Sequence, residues 1–358
     1  MHRCLQLAAS GAGMVAPNPL VGAVLMHNER IIGEGYHQKY GEPHAEVNCI
    51  ASVKDEDRPL IPHSTLYVSL EPCAHFGKTP PCADLIIKHK IPTVVIGCRD
   101  PFKEVNGKGI DRLQQAGVEI LSGILEQECK EINRRFFTAN TKYRPYFILK
   151  WAETANGFIA SLPGSTLTKL SETGYEETAT PARLLISNEY TNRLVHKWRS
   201  EEAAVLIGTR TALYDNPSLT TRYWDGPSPV RVIIDMNLRL PAGLKIFDRQ
   251  VRTIIINGIK EEKNDNLLYY RIDQRNSPVH ETVSALHHLN IQSVLIEGGA
   301  LLLQSFINEG LWDEARVIKN NSLAIENGLP APTLSQAVTT NTCHLSGDMI
   351  TTYRPAGR

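Results

Sequence analysis

The chain reads as two consecutive α/β units. Three observations predict this. Apolar runs of strand length alternate with helical segments through most of the sequence. The pattern restarts near Pro145, after a charged helical stretch at 124–141. And 358 residues, 42% of them hydrophobic, are more than a single core usually organises. The expected division is 1–143 and 144–358.

In the first unit, residues 3–10 form a short helix ended by Gly11 or Gly13. VGAVLM and IIGEGYH are strands, and the His27-Asn28-Glu29-Arg30 link between them is a hairpin signal. HAEVNCIASV is helical, with His44 and Glu46 in its first turn. TLYVSL is a strand that runs into Glu71-Pro72-Cys73, and CADLIIKHK is a helix that begins at Cys82. TVVIGC is a strand, GIDRLQQAG a helix closed by Gly117, and VEIL a strand. Residues 124–141 close the unit as one charged helix. Helices of this spacing cover both faces of a sheet.

In the second unit, YFILKWA is a strand, and the Ser-, Thr-, Gly- and Pro-rich residues 161–182 read as a loop or lid. SNEYTNRLVHKWR is a helix N-capped by Ser187. AAVLIG, VRVIID, RTIIIN and QSVLIE are strands, and SPVHETVSALHHL and ALLLQSFINEG are helices. The tail after residue 320 is polar and weakly patterned. There is no internal repeat and no low-complexity run.

Composition narrows the function. The 38 basic and 38 acidic residues cancel, so nothing favours a nucleic-acid partner. The seven cysteines are odd in number and irregularly spaced, which suits a reducing cytoplasm better than a disulfide framework. No run approaches the roughly 20 apolar residues of a membrane span, and the start lacks the apolar core of a signal peptide. A cytoplasmic protein is expected.

The chemistry concentrates between His44 and Cys82. HAEVNC places the carboxylate of Glu46 two residues after the imidazole of His44, and LEPCAHFGKTPPC places Cys73 and Cys82 each directly after a proline. One nitrogen and two sulfurs give a tetrahedral zinc three ligands and leave the fourth position for water. Zinc makes that water acidic near neutral pH, and Glu46, not a ligand, can pass its proton to a departing amine. This is the His-x-Glu and Pro-Cys…Cys logic of the zinc nucleobase deaminases, although their Cys-x-x-Cys pair is here Cys73-x8-Cys82. The competing reading is a closed structural zinc with His75 as fourth ligand. It leaves Glu46 without a purpose.

These residues bring a resemblance with them. PNPLVGAV, KYGEPHAEV, SLEPCAHFGKTPPC and Arg99-Asp100-Pro101 in the first unit are similar to the bifunctional riboflavin-biosynthesis deaminase–reductase family. So are ILKWA, DNPSLTTR, VRVIID and IEGGALL in the second, and the likeness covers nearly the whole chain. It implies an N-terminal cytidine-deaminase-like three-layer domain followed by a dihydrofolate-reductase-like α/β domain. The sequence agrees in having no GxGxxG after a strand. It implies a small phosphorylated pyrimidine as substrate: removal of ammonia from 2,5-diamino-6-ribosylamino-4(3H)-pyrimidinone 5′-phosphate, then reduction of the ribosyl chain to ribityl with NADPH.

Carried over residue by residue, the resemblance makes His44, Cys73 and Cys82 zinc ligands and Glu46 the proton shuttle. Asn18, His75, Lys78 and Asp100 would hold the pyrimidine or its phosphate. In the second unit Arg183, Arg199, Leu219, Arg222 and Glu297 would contact the substrate. Ala152, Leu185, Thr211, Asp215, Gly299 and Ala300 would contact NADPH. The Gly298-Gly299 turn lets backbone approach a ligand, and the following helix start can receive phosphate. Lys150 is placed to protonate the sugar oxygen. A homo-oligomer, dimer or tetramer, is expected. Phe102, Thr154-Ala155-Asn156-Gly157, Leu185 and Arg183 depart from the family's usual residues. An alternative stays open: a deaminase whose C-terminal half binds nucleotide or dimerises without reducing.

Overall fold

The computed structural model describes residues 1–76, 80–171, 174–179 and 184–357. Lys78 and Arg183 lie outside the described residues. The chain divides into two compact units, Met1–Arg144 and Pro145–Arg358.

The first unit runs α1 (His2–Ala9), β1 (Gly22–His27), β2 (Arg30–Tyr36), α2 (Ala45–Ala51), β3 (Thr65–Leu70), α3 (Cys82–Lys88), β4 (Thr93–Cys98), α4 (Lys108–Gln115), β5 (Glu119–Ser122), α5 (Glu126–Ile132) and α6 (Arg134–Thr141). Its five strands lie in the order β2-β1-β3-β4-β5. The first three are antiparallel and β3, β4 and β5 are parallel. Asn28 and Glu29 both have positive φ, 44° and 64°, as a two-residue hairpin turn that follows the sheet's twist requires. Helices α1 and α5 pack on one face of the sheet, and α2, α3 and α4 group on the other. Both faces are therefore covered, which is why the central strands read as near-continuous apolar runs. Leu25, Leu66, Val68 and Ile96 are fully buried against Cys49, Ile86 and Leu113 of the helices.

The single helix expected at 124–141 is two. Asn133 stands between α5 and α6 with φ −100° and ψ 16°. Its Oδ1 accepts from the Leu20 N–H at 2.7 Å, and its Nδ2 donates to the Leu20 carbonyl at 2.9 Å. The break is thus an anchor for the segment that carries Asn18.

The second unit continues with β6 (Tyr146–Thr154), β7 (Phe158–Ser161), β8 (Thr166–Ser171), β9 (Gly174–Ala179), α7 (Glu189–Glu201), β10 (Ala204–Gly208), α8 (Thr209–Asp215), β11 (Val230–Ile234), β12 (Thr253–Asn257), β13 (Glu262–Asn264) and β14 (Leu267–Arg271). It closes with α9 (Pro278–His288), β15 (Ser293–Ile296), α10 (Ala300–Asn308), β16 (Glu314–Asn320), β17 (Leu323–Ile325), β18 (Gly328–Pro330), β19 (Ala337–Leu345) and β20 (Asp348–Pro355). Ten strands form one sheet in the order β13-β14-β12-β11-β10-β15-β6-β16-β20-β19. The run from β14 to β16 is parallel, and both edges are antiparallel. The carboxyl ends of the parallel strands share one rim, the usual place for a site in such a sheet.

Three expectations need correction here. The loop or lid at 161–182 contains an antiparallel hairpin, β8 with β9, joined by β17. Threonines that read as loop composition are good strand formers once paired. The tail after residue 320 holds β17 to β20. β19 is exposed along almost its whole length, so it never shows the apolar alternation of a half-buried strand. The N-cap of α7 is Asn188, not Ser187: its side chain accepts from the Thr191 N–H at 2.9 Å. The Asn188 amide also donates to Leu345 and Ser346 carbonyls in the β19–β20 turn, a second role a serine could not fill.

Candidate functional sites

In the first unit, the carboxyl end of β3 delivers Glu71, Pro72 and Cys73 beside the first turns of α2 and α3. His44 is the N-cap residue of α2, with extended backbone (φ −72°, ψ 169°), and Cys82 opens α3. The Nδ1 atom of His44 lies 3.6 Å from Cys73 Sγ and 3.4 Å from Cys82 Sγ. The three donor atoms are all within 4.8 Å of one another. Nitrogen at ~2.0 Å and sulfur at ~2.3 Å from a tetrahedral ion stand about 3.5 Å apart, so this donor set fits zinc without rearrangement.

The cluster is electrostatically prepared. The Cys82 N–H donates to Cys73 Sγ at 3.3 Å. Hydrogen bonds from Cys82 and His44 outweigh burial and bring the Cys73 thiol down to about 4, while its pairing with Cys73 and burial push Cys82 up. The bond to Cys73 raises His44 against the effect of burial. Glu46 is buried, 3% exposed, one residue into α2. Burial, helped by the negative charge expected on Cys73, pushes its carboxyl up. A carboxyl raised from its ordinary range is suited to carrying a proton in both directions near neutral pH.

Around this cluster stand groups of two kinds. The Asn18 side-chain amide donates to His37 Nε2 at 3.1 Å, and the other His37 nitrogen donates to the Pro43 carbonyl at 3.1 Å. The His37 ring meets His44 edge-on at 5.3 Å, so Asn18 is one residue removed from the donor cluster. Asp100 is buried, and burial raises its carboxyl to about 7; its Oδ1 accepts from the Phe102 N–H at 2.7 Å. His75 packs edge-on against Phe102 at 6.2 Å and is not part of the three-residue donor cluster.

Glu71 was not singled out from the sequence, although it directly precedes Pro72-Cys73. Its carboxylate accepts from Gly107 and Gly109 N–H groups, both at 3.0 Å, and from Asp100 N–H at 3.3 Å. It holds the start of α4, where a negative charge opposes the helix dipole favourably. A Cβ at Gly109 would stand 1.9 Å from the Pro72 carbonyl oxygen, so only glycine lets α4 approach the cysteine loop this closely.

In the second unit, Arg199 of α7 and Glu297, which follows β15, meet in a two-point ion pair with both N···O distances 2.6 Å. Arg199 Nη1 also donates to the Thr220 carbonyl at 3.2 Å. Arg199 and Arg222 line a cleft with Asn216, Pro217, Ser218, Leu219 and Lys245. Leu219 has positive φ, 52°, and a side chain buried among Val205, Ile207 and Ile233. Lys150 projects from β6 into the same charged group; burial lowers its ammonium, which Glu297 opposes and Arg199 reinforces. His196, one turn before Arg199, accepts the Arg222 N–H on Nδ1 at 2.8 Å.

The residues expected at the cofactor divide. A Cβ at Gly298 would stand 2.9 Å from Thr211 Cγ2, and one at Gly299 would stand 3.3 Å from Thr211 Oγ1, so the β15–α10 turn packs against α8. Gly299 has φ 77° and caps α10, which Ala300 opens. Asp215 ends α8. Ala152 lies on β6, opposite Ile318. Leu185 is 74% exposed. Thus Thr211, Gly299 and Ala300 come together at the rim, Ala152 packs beside Ile186 and Ile325, and Leu185 is not brought to them by any contact among the described residues.

Comparison with known proteins assigns both units. The zinc-binding region of cytidine and deoxycytidylate deaminases matches residues 1–98, and the RibD C-terminal domain matches residues 145–320. The riboflavin biosynthesis protein RibD of Aquifex aeolicus is 36% identical over 318 residues, 87% of this chain and 83% of that protein. RibD of Bacillus amyloliquefaciens is 37% identical over 323 residues, covering 88% and 81%. The crystal structure of a diaminohydroxyphosphoribosylaminopyrimidine deaminase/5-amino-6-(5-phosphoribosylamino)uracil reductase from Thermotoga maritima superposes with a TM-score of 0.85 at 34% identity, covering 99% of this chain and 97% of that one. Among the described residues, no helix is long and apolar enough to cross a membrane.

Proposed function

The chain belongs to the RibD family of riboflavin-biosynthesis proteins, a deaminase joined to a reductase, and on that premise we propose which residues carry each step. The observation that carries the reading is the His44–Cys73–Cys82 cluster with Glu46 buried beside it. Zinc held there would lower the pKa of water toward neutrality. Glu46 takes the proton that this water gives up and delivers it to the amine leaving C2 of 2,5-diamino-6-ribosylamino-4(3H)-pyrimidinone 5′-phosphate. Water oxygen replaces the amine and ammonia departs. Asn18, steered by His37, reads the ring edge by its paired donor and acceptor. His75, Lys78 and Asp100 complete the binding site.

In the second unit the ribosyl chain of the deaminated product is reduced to ribityl. NADPH supplies the hydride. Thr211, Asp215, Gly299 and Ala300 seat the cofactor at the strand rim, and Ala152 and Leu185 complete the cofactor contacts. Arg199 and Arg222 hold the substrate's phosphate, Glu297 contacts its sugar, and Arg183 and Leu219 complete the substrate contacts. Lys150, whose lowered pKa makes it the better acid, protonates the sugar oxygen. The protein works in the cytoplasm as a homo-oligomer, dimer or tetramer.

The test is to supply the diaminopyrimidinone phosphate to purified protein and follow ammonia, then NADPH absorbance. Both signals in sequence are expected. Ammonia without NADPH consumption would select the deaminase-only alternative, which the two-domain family membership does not favour.

A further inference from the structure

His196 is absent from every role assigned above, yet it is 1% exposed and sits beneath the segment that carries Arg222. That segment, Thr220 to Tyr223, has no helix or strand of its own. It is held by contacts from α7. Arg199 Nη1 donates to the Thr220 carbonyl at 3.2 Å, and the Arg222 N–H donates to His196 Nδ1 at 2.8 Å. Residues 196 and 199 are three apart on the helix and so present both groups on one face. The Tyr223 ring closes on the His196 ring edge-on at 4.8 Å, and the Arg222 guanidinium lies 5.7 Å over Tyr223. Arg222 Nη1 also donates to Thr220 Oγ1 at 3.0 Å. The bonds from Arg199 and His196 hold the backbone from which the Arg222 side chain leaves, and the contacts with Tyr223 and Thr220 hold its guanidinium.

Only one form of the imidazole does this. Accepting on Nδ1 requires that this nitrogen carry no proton, so the ring is neutral with its hydrogen on Nε2. The surroundings hold it so, because burial and the cations Arg199, Arg222 and Lys150 all oppose a charged ring, with Glu297 alone favouring it.

We propose that His196 is a positioning residue of the reductase: its Nδ1 anchors the Arg222 backbone and thereby aims the guanidinium into the cleft for the substrate's phosphate. This rests on the reading of that cleft as the sugar-phosphate site. The geometry also names the variant that replaces it. The Oδ1 of an asparagine sits two bonds beyond Cβ, where Nδ1 does, whereas the glutamine oxygen sits one bond farther out.

The experiment compares His196→Asn, His196→Gln and His196→Leu with Arg222→Ala, measuring KM and kcat for NADPH-dependent reduction of the deaminated substrate. The expected result is a KM for His196→Asn within twofold of the unsubstituted protein. His196→Gln and His196→Leu should raise KM roughly tenfold with little change in kcat, as the loss of one buried hydrogen bond allows. In the Arg222→Ala background, a further change at 196 should add nothing. Equal KM values for Asn, Gln and the unsubstituted protein would overturn the proposal, as would losses confined to kcat. If Arg222→Ala itself leaves KM unchanged, the phosphate reading of the cleft falls and the proposal falls with it. Should His196→Leu fail to fold, the Asn and Gln pair still decides.

Discussion

Arg199 and Glu297 face each other through two parallel hydrogen bonds, Nε to Oε1 and Nη2 to Oε2, each 2.6 Å, with side chains only 12% and 6% exposed. Both residues were expected to touch substrate, but nothing in their spacing said that they touch each other. A buried pair of this kind gives modest net stability while intact, yet each partner is costly to leave alone. Glu297→Gln strands the Arg199 charge and should destabilise the second unit by about 3–5 kcal/mol. Arg199→Met with Glu297→Leu should cost less than either single change. All four tryptophans, Trp151, Trp198, Trp224 and Trp312, lie in this unit, so their fluorescence during urea unfolding measures it directly.

The pH dependence of that unit follows from His196. Burial first, then the neighbouring cations, push its pKa down from the ordinary 6.5 to about 4. The unfolded chain therefore binds a proton below pH 6.5 that the folded chain refuses, and stability must fall as the pH drops from 6.5 toward 4. Glu297 adds a second loss at lower pH. Burial alone would raise it, but Arg199 and Lys150 hold it below its ordinary 4.5, so its contribution is complete above that value and disappears as pH falls through the lowered one. Urea midpoints by tryptophan fluorescence should decline between pH 7 and 4.5. His196→Asn should flatten this slope, and an unchanged slope would reject the assignment.

Glu46→Gln should retain zinc, because the three donor atoms come from His44, Cys73 and Cys82. Ammonia release should drop by about 10²–10⁴, the usual contribution of a general acid–base group. Metal analysis beside the assay separates the two roles: loss of zinc with activity would make Glu46 a ligand or a structural residue.

Chelation should abolish ammonia release, and stoichiometric zinc should restore it. Cys82→Ser should prevent the restoration. Reduction of the deaminated intermediate should continue throughout, since the second family domain begins at residue 145, beyond the metal cluster. A parallel loss of reduction would show that the two activities are not separable.

Gly299→Ala tests the cofactor seat. The residue has φ 77°, which a side chain adopts at a cost of about 1–2 kcal/mol. The added methyl would also press on Thr211 Oγ1 at 3.3 Å. KM for NADPH should rise roughly tenfold, while ammonia release stays constant. An unchanged KM would remove this turn from the cofactor site.

The zinc cluster was legible because its residue types are rare together, and because His44 and Cys82 fall at helix starts and Cys73 just after a strand, elements that the apolar pattern already marks. Cys82 opens α3 as read, whereas His44, read into the first turn of α2, stands just before that helix as its N-cap. Glu71 and His196 were not legible. Each works by accepting N–H bonds from segments distant in sequence, Glu71 from residues 107 and 109 and His196 from 222, and no local pattern records such a bond. The same holds for the β8–β9 hairpin and for β19, whose strands are polar because they lie at an edge or in a small separate sheet.

The amino-acid order alone determined the alternation that makes two α/β units and the donor set that makes a zinc deaminase. Both depend on side-chain chemistry and short-range periodicity, which survive in a linear string. Tertiary structure alone decided that Arg199 is locked to Glu297, that Arg222 hangs from His196, and that Glu71 fastens α4 to the cysteine loop. Those are hydrogen bonds and charge pairs between distant parts of the chain, and they acquire an energy only when folding removes water from between them.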